Sequence, residues 1–253
     1  LKASPKDAGP MDVIRTGVSM LGLYDQRGEH QNRKLNEERA LAIVAKIPLI
    51  VAGFHRFRQG LEMIEPRDDL NEAAHFLYLI NGEVPSDDAA KTLDVAYILH
   101  ADHGMNASTF SSRVTIATLS DIYSSITSAI GTLKGPLHGG ANEGVIQMLE
   151  EIGSEDAVDS YVEGKLERKE KIMGIGHRVY KVLDPRAPHL RKMAIKLTEE
   201  LGDPKWINMS ERIAEIMKER KGLNANVDFY SATVYYSLGI PTDLFTPIFA
   251  ISR

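Results

Sequence analysis

Apolar residues between positions 11 and 23 recur at spacings of three and four, the period of one helix face, and Pro10 stands where a proline suits the start of a helix. The same period returns over 39–49 and 71–80, and Asn81-Gly82 stops the second of these. A polar stretch over 25–38 reads as a connection. Ser86, followed by Asp87 and Asp88, has the chemistry of an N-cap with acids in the first turn. The helix it opens puts Leu93, Tyr97 and His100 on one face and is expected to stop near Gly104, with His103 at its end. Residues 112–133, rich in Ser, Thr and Ile, read as one long, closely packed helix ended by Gly135-Pro136. Further helices are expected over 143–152, 155–169, 189–201, 207–221, 229–238 and 244–251, with Gly153, Gly202, Gly222 and Gly239 marking exits. No alternating β-branched run is bounded by turn residues, so the expected class is all-α, and no repeat is visible.

Composition narrows the chemistry. The 253 residues can bury a large core in one domain or two, and a net charge of -5 argues against a nucleic-acid partner. The longest apolar run, 47–54, contains a proline and a glycine and is shorter than the roughly 18 residues of a membrane span. The start does not resemble a signal peptide, so a soluble, cytoplasmic chain without a membrane partner is expected. The chain has no cysteine, which removes disulfides, thiolate metal sites and acyl transfer through a cysteine thioester. Imidazole, carboxylate, hydroxyl and guanidinium groups remain.

Three stretches concentrate those groups. In the first, IMGIGHRVYKVLDPR over 172–186, Gly174 and Gly176 bracket Ile175, His177 follows, and Arg178, Lys181 and Arg186 add three cations with no carboxylate before Asp184. That composition suits a multiply charged anion. In the second, GPLHGGANEG over 135–144, His138 sits among glycines just before a helix whose start offers backbone N–H groups. A neutral imidazole there could hydrogen-bond a carbonyl that is becoming an enolate. In the third, NANVDFYSA over 224–232, Asp228 stands between Val227 and Phe229. Its position is that of an N-cap for the following helix, and partial desolvation would also raise its pKa toward that of a general base. His100 and His103 have metal-compatible spacing, but no third ligand is near. The Gly174/Gly176 pair lacks the third glycine of a dinucleotide fingerprint, and the basic residues over 165–171 alternate with acids as on a solvated helix face.

Together GPLHGGANEG, IMGIGHRVYKVLDPR and NVDFYSA with GIPTDLFTPIF resemble the citrate synthase family, most closely the short bacterial type shared by citrate and 2-methylcitrate synthases, and the resemblance runs over essentially the whole chain. It implies a two-domain, all-helical homodimer with its active site in the cleft between a large domain, 1–137 plus 243–253, and a smaller one, 138–242. It further implies an enzyme of the tricarboxylic acid cycle that needs no cofactor or metal and takes oxaloacetate and an acyl-CoA as substrates. On that resemblance Asp228 takes a proton from the acetyl-CoA methyl group, His138 hydrogen-bonds the thioester oxygen, and His177 polarises the ketone of oxaloacetate. His103, Arg186 and Arg253 bind oxaloacetate, and Gly174, Ile175, Gly176, Arg178 and Lys181 contact CoA. The alternatives are a 2-methylcitrate synthase using propionyl-CoA and, more remotely, a non-catalytic acyl-CoA-binding paralogue. The family's N-terminal segment and its stretch beyond Arg253, which supplies a further arginine to the neighbouring subunit, are expected outside this chain. Ala225 replaces the family's usual proline and is expected to loosen the approach to Asp228.

Overall fold

The computed structural model describes residues 1–28, 32–136, 138–177, 180 and 182–253. Among the described residues the chain is all-α. Helices α1 (Pro10–Tyr24), α2 (Arg33–Gln59), α3 (Glu72–Asn81), α4 (Asp87–Ala101), α5 (Ala107–Ala117) and α6 (Ile122–Leu133) come first. They are followed by α7 (Ala141–Ile152), α8 (Val158–Glu167), α9 (Ala187–Leu201), α10 (Lys205–Lys221), α11 (Val227–Ser237) and α12 (Phe245–Ser252). Two short 3-10 turns, Glu155–Ala157 and Thr242–Leu244, precede α8 and α12.

Local chemistry explains most of the boundaries. Side chains of Asn71, Ser86 and Asn106 accept hydrogen bonds from the backbone N–H groups of Ala74, Ala89 and Thr109, closing the starts of α3, α4 and α5. Gly153, Gly202 and Gly222 end α7, α9 and α10 in the left-handed conformation. Three boundaries depart from the sequence reading. The first is α2, which begins at Arg33 inside the expected connection and continues through Pro48 to Gln59. Proline removes one helical hydrogen bond, but Ile43, Ile47, Val51 and Phe54 are buried on either side of it, and that packing holds the helix together. By length and composition α2 could cross a membrane, yet its apolar face packs on α1, α3, α6 and α12 as a core helix does.

The second departure is at 112–133, where the expected single helix is two. Leu119 has a left-handed φ of 64°, and Asp121 caps α6 by accepting from the Ser124 N–H at 2.8 Å. The chain therefore reverses, and α5 packs along α6 as a hairpin. The third is α4, which ends at Ala101 short of Gly104 and places His103 in the extended segment beyond it.

Two neighbourhoods organise the packing. Helices α1 to α6 pack mainly on one another, and α11 packs on α9, α7 and α10. Helix α12 returns to the first group, touching α4, α2, α1 and also α7, so the two neighbourhoods share one continuous core. Phe229, Tyr235 and Phe245 are fully buried within it, each contributing roughly 1.5–3 kcal/mol of transfer free energy. At the α1–α2 connection Asp25 accepts from Arg39 Nε at 2.8 Å, Tyr123 Oη at 2.8 Å and Arg27 Nε at 2.8 Å. These bonds fasten the start of α2 against α6 and hold the Asp25 carboxyl far below the usual carboxylate range, the Arg27 hydrogen bond foremost, although burial opposes it.

Candidate active site

The segment around Gly174 lies directly against the segment that enters α11. Gly176 N donates to Asn224 O at 2.8 Å, Asn226 N donates to Gly174 O at 2.9 Å, and Ile175 forms an antiparallel bridge with Ala225. Asn226 Nδ2 adds a bond to Gly176 O at 2.8 Å. Ala225, expected to loosen this approach, is buried and lies in the bridge opposite Ile175. Gly174 is required here: its φ is +73°, and a Cβ would meet Val145 Cγ2 at 2.7 Å and Phe229 Cβ at 2.9 Å.

Asp228 enters the site from this clasp. The sequence reading made it the N-cap of its helix, but the cap is Asn226, whose Oδ1 accepts from the Asp228 N–H at 3.0 Å. Asp228 is thereby moved into the first turn, and its Oδ1 is buried with no hydrogen-bond partner. Burial raises its pKa from the ordinary 3.8 to about 6, against the pull of Arg186 and Arg253. A buried carboxylate oxygen without a partner, on a group whose pKa is raised toward neutrality, has the chemistry that proton abstraction requires.

His138 is fixed from an unexpected direction. Its Nε2 accepts from the backbone N–H of Ser108 at 3.2 Å and lies 3.0 Å from Ser108 Oγ. Ser108 is in the first turn of α5, so the helix start that meets the imidazole is that of α5 rather than of the helix following His138. Since a backbone N–H can only donate, Nε2 must be unprotonated, and the neutral ring carries its proton on Nδ1. Burial, and secondarily the charge of Arg253, lowers the His138 pKa and keeps the ring neutral.

His177 shows the complementary arrangement. Tyr180 N donates to its Nδ1 at 3.1 Å, which leaves the proton of the neutral ring on Nε2. The ring centroid lies 5.2 Å from that of His103 and 4.7 Å from that of Tyr180. Burial lowers the pKa of both histidines; Arg186 lowers both further, and Asp184 opposes it. Arg253, at the end of α12, lies over the Phe249 ring at 4.4 Å, and Phe249 stands 6.4 Å from the His138 ring. Burial, then Arg186, brings the Arg253 pKa down to about 10, which still leaves it a cation at neutral pH. His103, His138, His177, Arg186, Asp228 and Arg253 are thus brought within reach of one another's charges or rings.

Other expectations fare differently. Arg178 and Lys181 lie outside the described residues. Gly176, Ile175 and His177 border a cleft of about 580 Å³ that the exposed Lys169, Lys171 and Lys221 also line. His100 is fully buried, donates from Nδ1 to Ala96 O at 2.8 Å, and is pushed down to about 4 by burial. No group of three His, Cys, Asp or Glu residues among the described residues could hold a metal. Sequence reasoning missed Ser108, Tyr180, Asp184 and Phe249. Only Asp184 gave a usable sign, an acid two positions from Arg186 across a proline.

Comparison with known proteins places this geometry in context. The family model described as "Citrate synthase, C-terminal domain" matches residues 1–253. Citrate synthase 2 of Bacillus subtilis (strain 168) is 56% identical over 250 residues, covering 99% of this chain and 67% of the relative. The citrate synthase of Haloferax volcanii is 51% identical, covering 98% of this chain and 66% of its own length. Among solved structures, the ternary complex of carboxymethyl coenzyme A and oxaloacetate with citrate synthase from Thermoplasma acidophilum matches with a TM-score of 0.91 at 29% identity, covering 100% of this chain and 68% of that one. The chain therefore spans about two thirds of the length of these relatives.

Proposed function

Because this chain belongs to the citrate synthase family, we propose that the protein carrying it joins acetyl-CoA to oxaloacetate and hydrolyses the resulting citryl-CoA to citrate and free CoA. The observation that carries this reading is the unpartnered Oδ1 of Asp228, buried in a site that also holds a neutral histidine with its proton on Nδ1. The methyl protons of a thioester are weakly acidic, so their removal needs a base here and a hydrogen-bond donor at the carbonyl oxygen at the same time.

Asp228 takes a methyl proton, breaking the C–H bond, while Nδ1–H of His138 stabilises the oxygen of the forming enol. The enol carbon then attacks the ketone carbon of oxaloacetate. His177, protonated on Nε2, donates toward the ketone oxygen as it becomes a hydroxyl. Water finally adds to the thioester carbon, the C–S bond breaks, and citrate and CoA leave. Arg186, Arg253 and His103 hold the two carboxylates of oxaloacetate, for which the planar fork of arginine is suited. The cleft beside Ile175 and Gly176 receives CoA, with Lys169, Lys171 and Lys221 available to its phosphates.

In this proposal residues 1–137 and 243–253 form the large domain and 138–242 the small one. Thr246 supports a hinge at that division: its N–H donates to Glu143 Oε1 at 3.2 Å, and its Oγ1 donates to Glu143 Oε1 and to Gly139 O at 3.3 Å. Both chain crossings are thereby tied side by side. A homodimer is supported by α5, which buries only Ser108 and leaves Phe110 and Val114, one turn apart on the same face, exposed for a second copy. We place the enzyme in the cytoplasm, supplying citrate to the tricarboxylic acid cycle.

The test is thiol release by the full-length protein. With oxaloacetate and acetyl-CoA, free thiol should appear, and omission of oxaloacetate should abolish it. This chain itself contributes no cysteine to the signal. Faster release from propionyl-CoA would assign the protein to the 2-methylcitrate branch, and no release from either thioester by a folded, CoA-binding protein would overturn the enzyme reading.

A further inference from the structure

Asp184 is a buried carboxylate that the reaction above does not use, and its side chain is 1% exposed. It accepts four hydrogen bonds. Three come from Arg186: backbone N to Oδ1 at 3.0 Å, Nε to Oδ1 at 3.0 Å and Nη2 to Oδ2 at 2.8 Å. The fourth comes from the backbone N–H of Val227 to Oδ2, at 3.2 Å. Val227 is the first residue of α11 and immediately precedes Asp228. A single carboxylate therefore grips the Nε/Nη2 edge of one guanidinium and the helix terminus that carries the proposed base. Burial alone would raise the Asp184 pKa, but the Arg186 and Val227 hydrogen bonds prevail and hold it below the ordinary range, so the clamp is ionised at neutral pH.

We propose that Asp184 is a positioning residue that fixes the Arg186 guanidinium relative to the start of α11, so that a dicarboxylate keto acid held by Arg186 lies at the working distance from Asp228. The inference deepens the functional reading given above and rests on it. Two features favour positioning over simple charge balance. A buried anion beside Arg186 weakens that residue's attraction for a substrate anion, so electrostatics alone would select against it. What the carboxylate supplies instead is order: the fork removes the rotamer freedom that an arginine otherwise loses on binding, and it does so before substrate arrives. The pairing also couples two segments more than forty residues apart, which the Gly176–Asn224 and Asn226–Gly174 backbone bonds join only at their other end.

The two accounts predict opposite signs. Asp184→Asn removes one negative charge beside Arg186. On charge balance alone the KM for oxaloacetate should fall. On the positioning account it should rise about 10-fold to 100-fold, while the KM for acetyl-CoA stays within about threefold. Asp184→Glu, which keeps the charge but moves it by one methylene, should give the same selective rise and serves as the second reading if the asparagine variant does not fold. An unchanged or lower KM for oxaloacetate in a folded variant, or equal rises for both substrates, would overturn the proposal. Calorimetric titration of the unaltered protein with oxaloacetate separates the two failures. No binding there overturns the functional reading together with this inference, whereas normal binding with an unaffected Asp184→Asn variant overturns only the role of Asp184.

Discussion

Replacing Asp228 by asparagine should lower kcat by about 10³-fold while making the folded protein more stable at neutral pH. The first half follows from the base: asparagine keeps the shape but cannot take a proton. The second follows from linkage. Burial raises the Asp228 pKa to about 6, above the ordinary 3.8, so the folded protein binds more protons than the unfolded chain between those values. Stability is therefore lost as pH rises through that window, and at pH 7 the ionised Asp228 costs the fold on the order of 3 kcal/mol. An asparagine side chain in its place carries no such cost, so the thermal midpoint of Asp228→Asn should exceed that of the parent at pH 7, with the difference vanishing near pH 4. In the parent, kcat/KM should decline as pH falls below about 6, where that carboxyl takes up its proton. A variant that is both active and less stable would contradict the assignment of Asp228 as the base.

The next largest effect is expected at His138, where alanine should cost about 10²–10³ in kcat, the usual loss for an oxyanion-type donor. The KM for acetyl-CoA should change much less, because the bond strengthens as the thioester oxygen gains charge and not when the thioester binds. Burial and Arg253 keep the imidazole neutral, so its protonation should add no step to the pH–rate profile near neutrality. Steady-state kinetics over a pH series checks both statements. An equal rise in KM with unchanged kcat would make His138 a binding residue only.

How far the sequence discloses this arrangement can be seen residue by residue. Capping and exit chemistry is local, so Ser86 at the start of α4 and the glycines ending α7, α9 and α10 are legible from their neighbours alone. Burial is not local. Helix α2 runs through Pro48 because of what packs around it, and a scan for contiguous apolar runs gives no sign of its length. The break at Leu119 is hidden for a related reason: a left-handed leucine has no sequence signature, and Asp121 could be read as a solvated helix residue.

The site divides in the same way. Asp228, His138 and His177 stand out by their glycine-flanked or apolar contexts and by motif resemblance. The neighbours that fix them do not stand out: Tyr180 holds His177 from three residues on, and the group that sets the His138 tautomer comes from elsewhere in the chain. Ser108 reaches His138 from thirty residues away, and nothing in the sequence distinguishes it from its serine neighbours. Asn226 displaces Asp228 from the cap because both residue types can perform it, and only the backbone geometry decides between them. Likewise Arg186 does not face an anion uncompensated, since Asp184 folds back on it across Pro185.

The central claim is that the bond broken first is a C–H bond of the acyl methyl group. It is tested most directly by supplying the full-length protein with oxaloacetate and acetyl-CoA fully deuterated at that methyl, then weighing the product. The account predicts citrate that has lost one deuterium and retains the other two, released together with free CoA. A product that keeps all three, as simple acyl transfer at the thioester carbon would give, would contradict it.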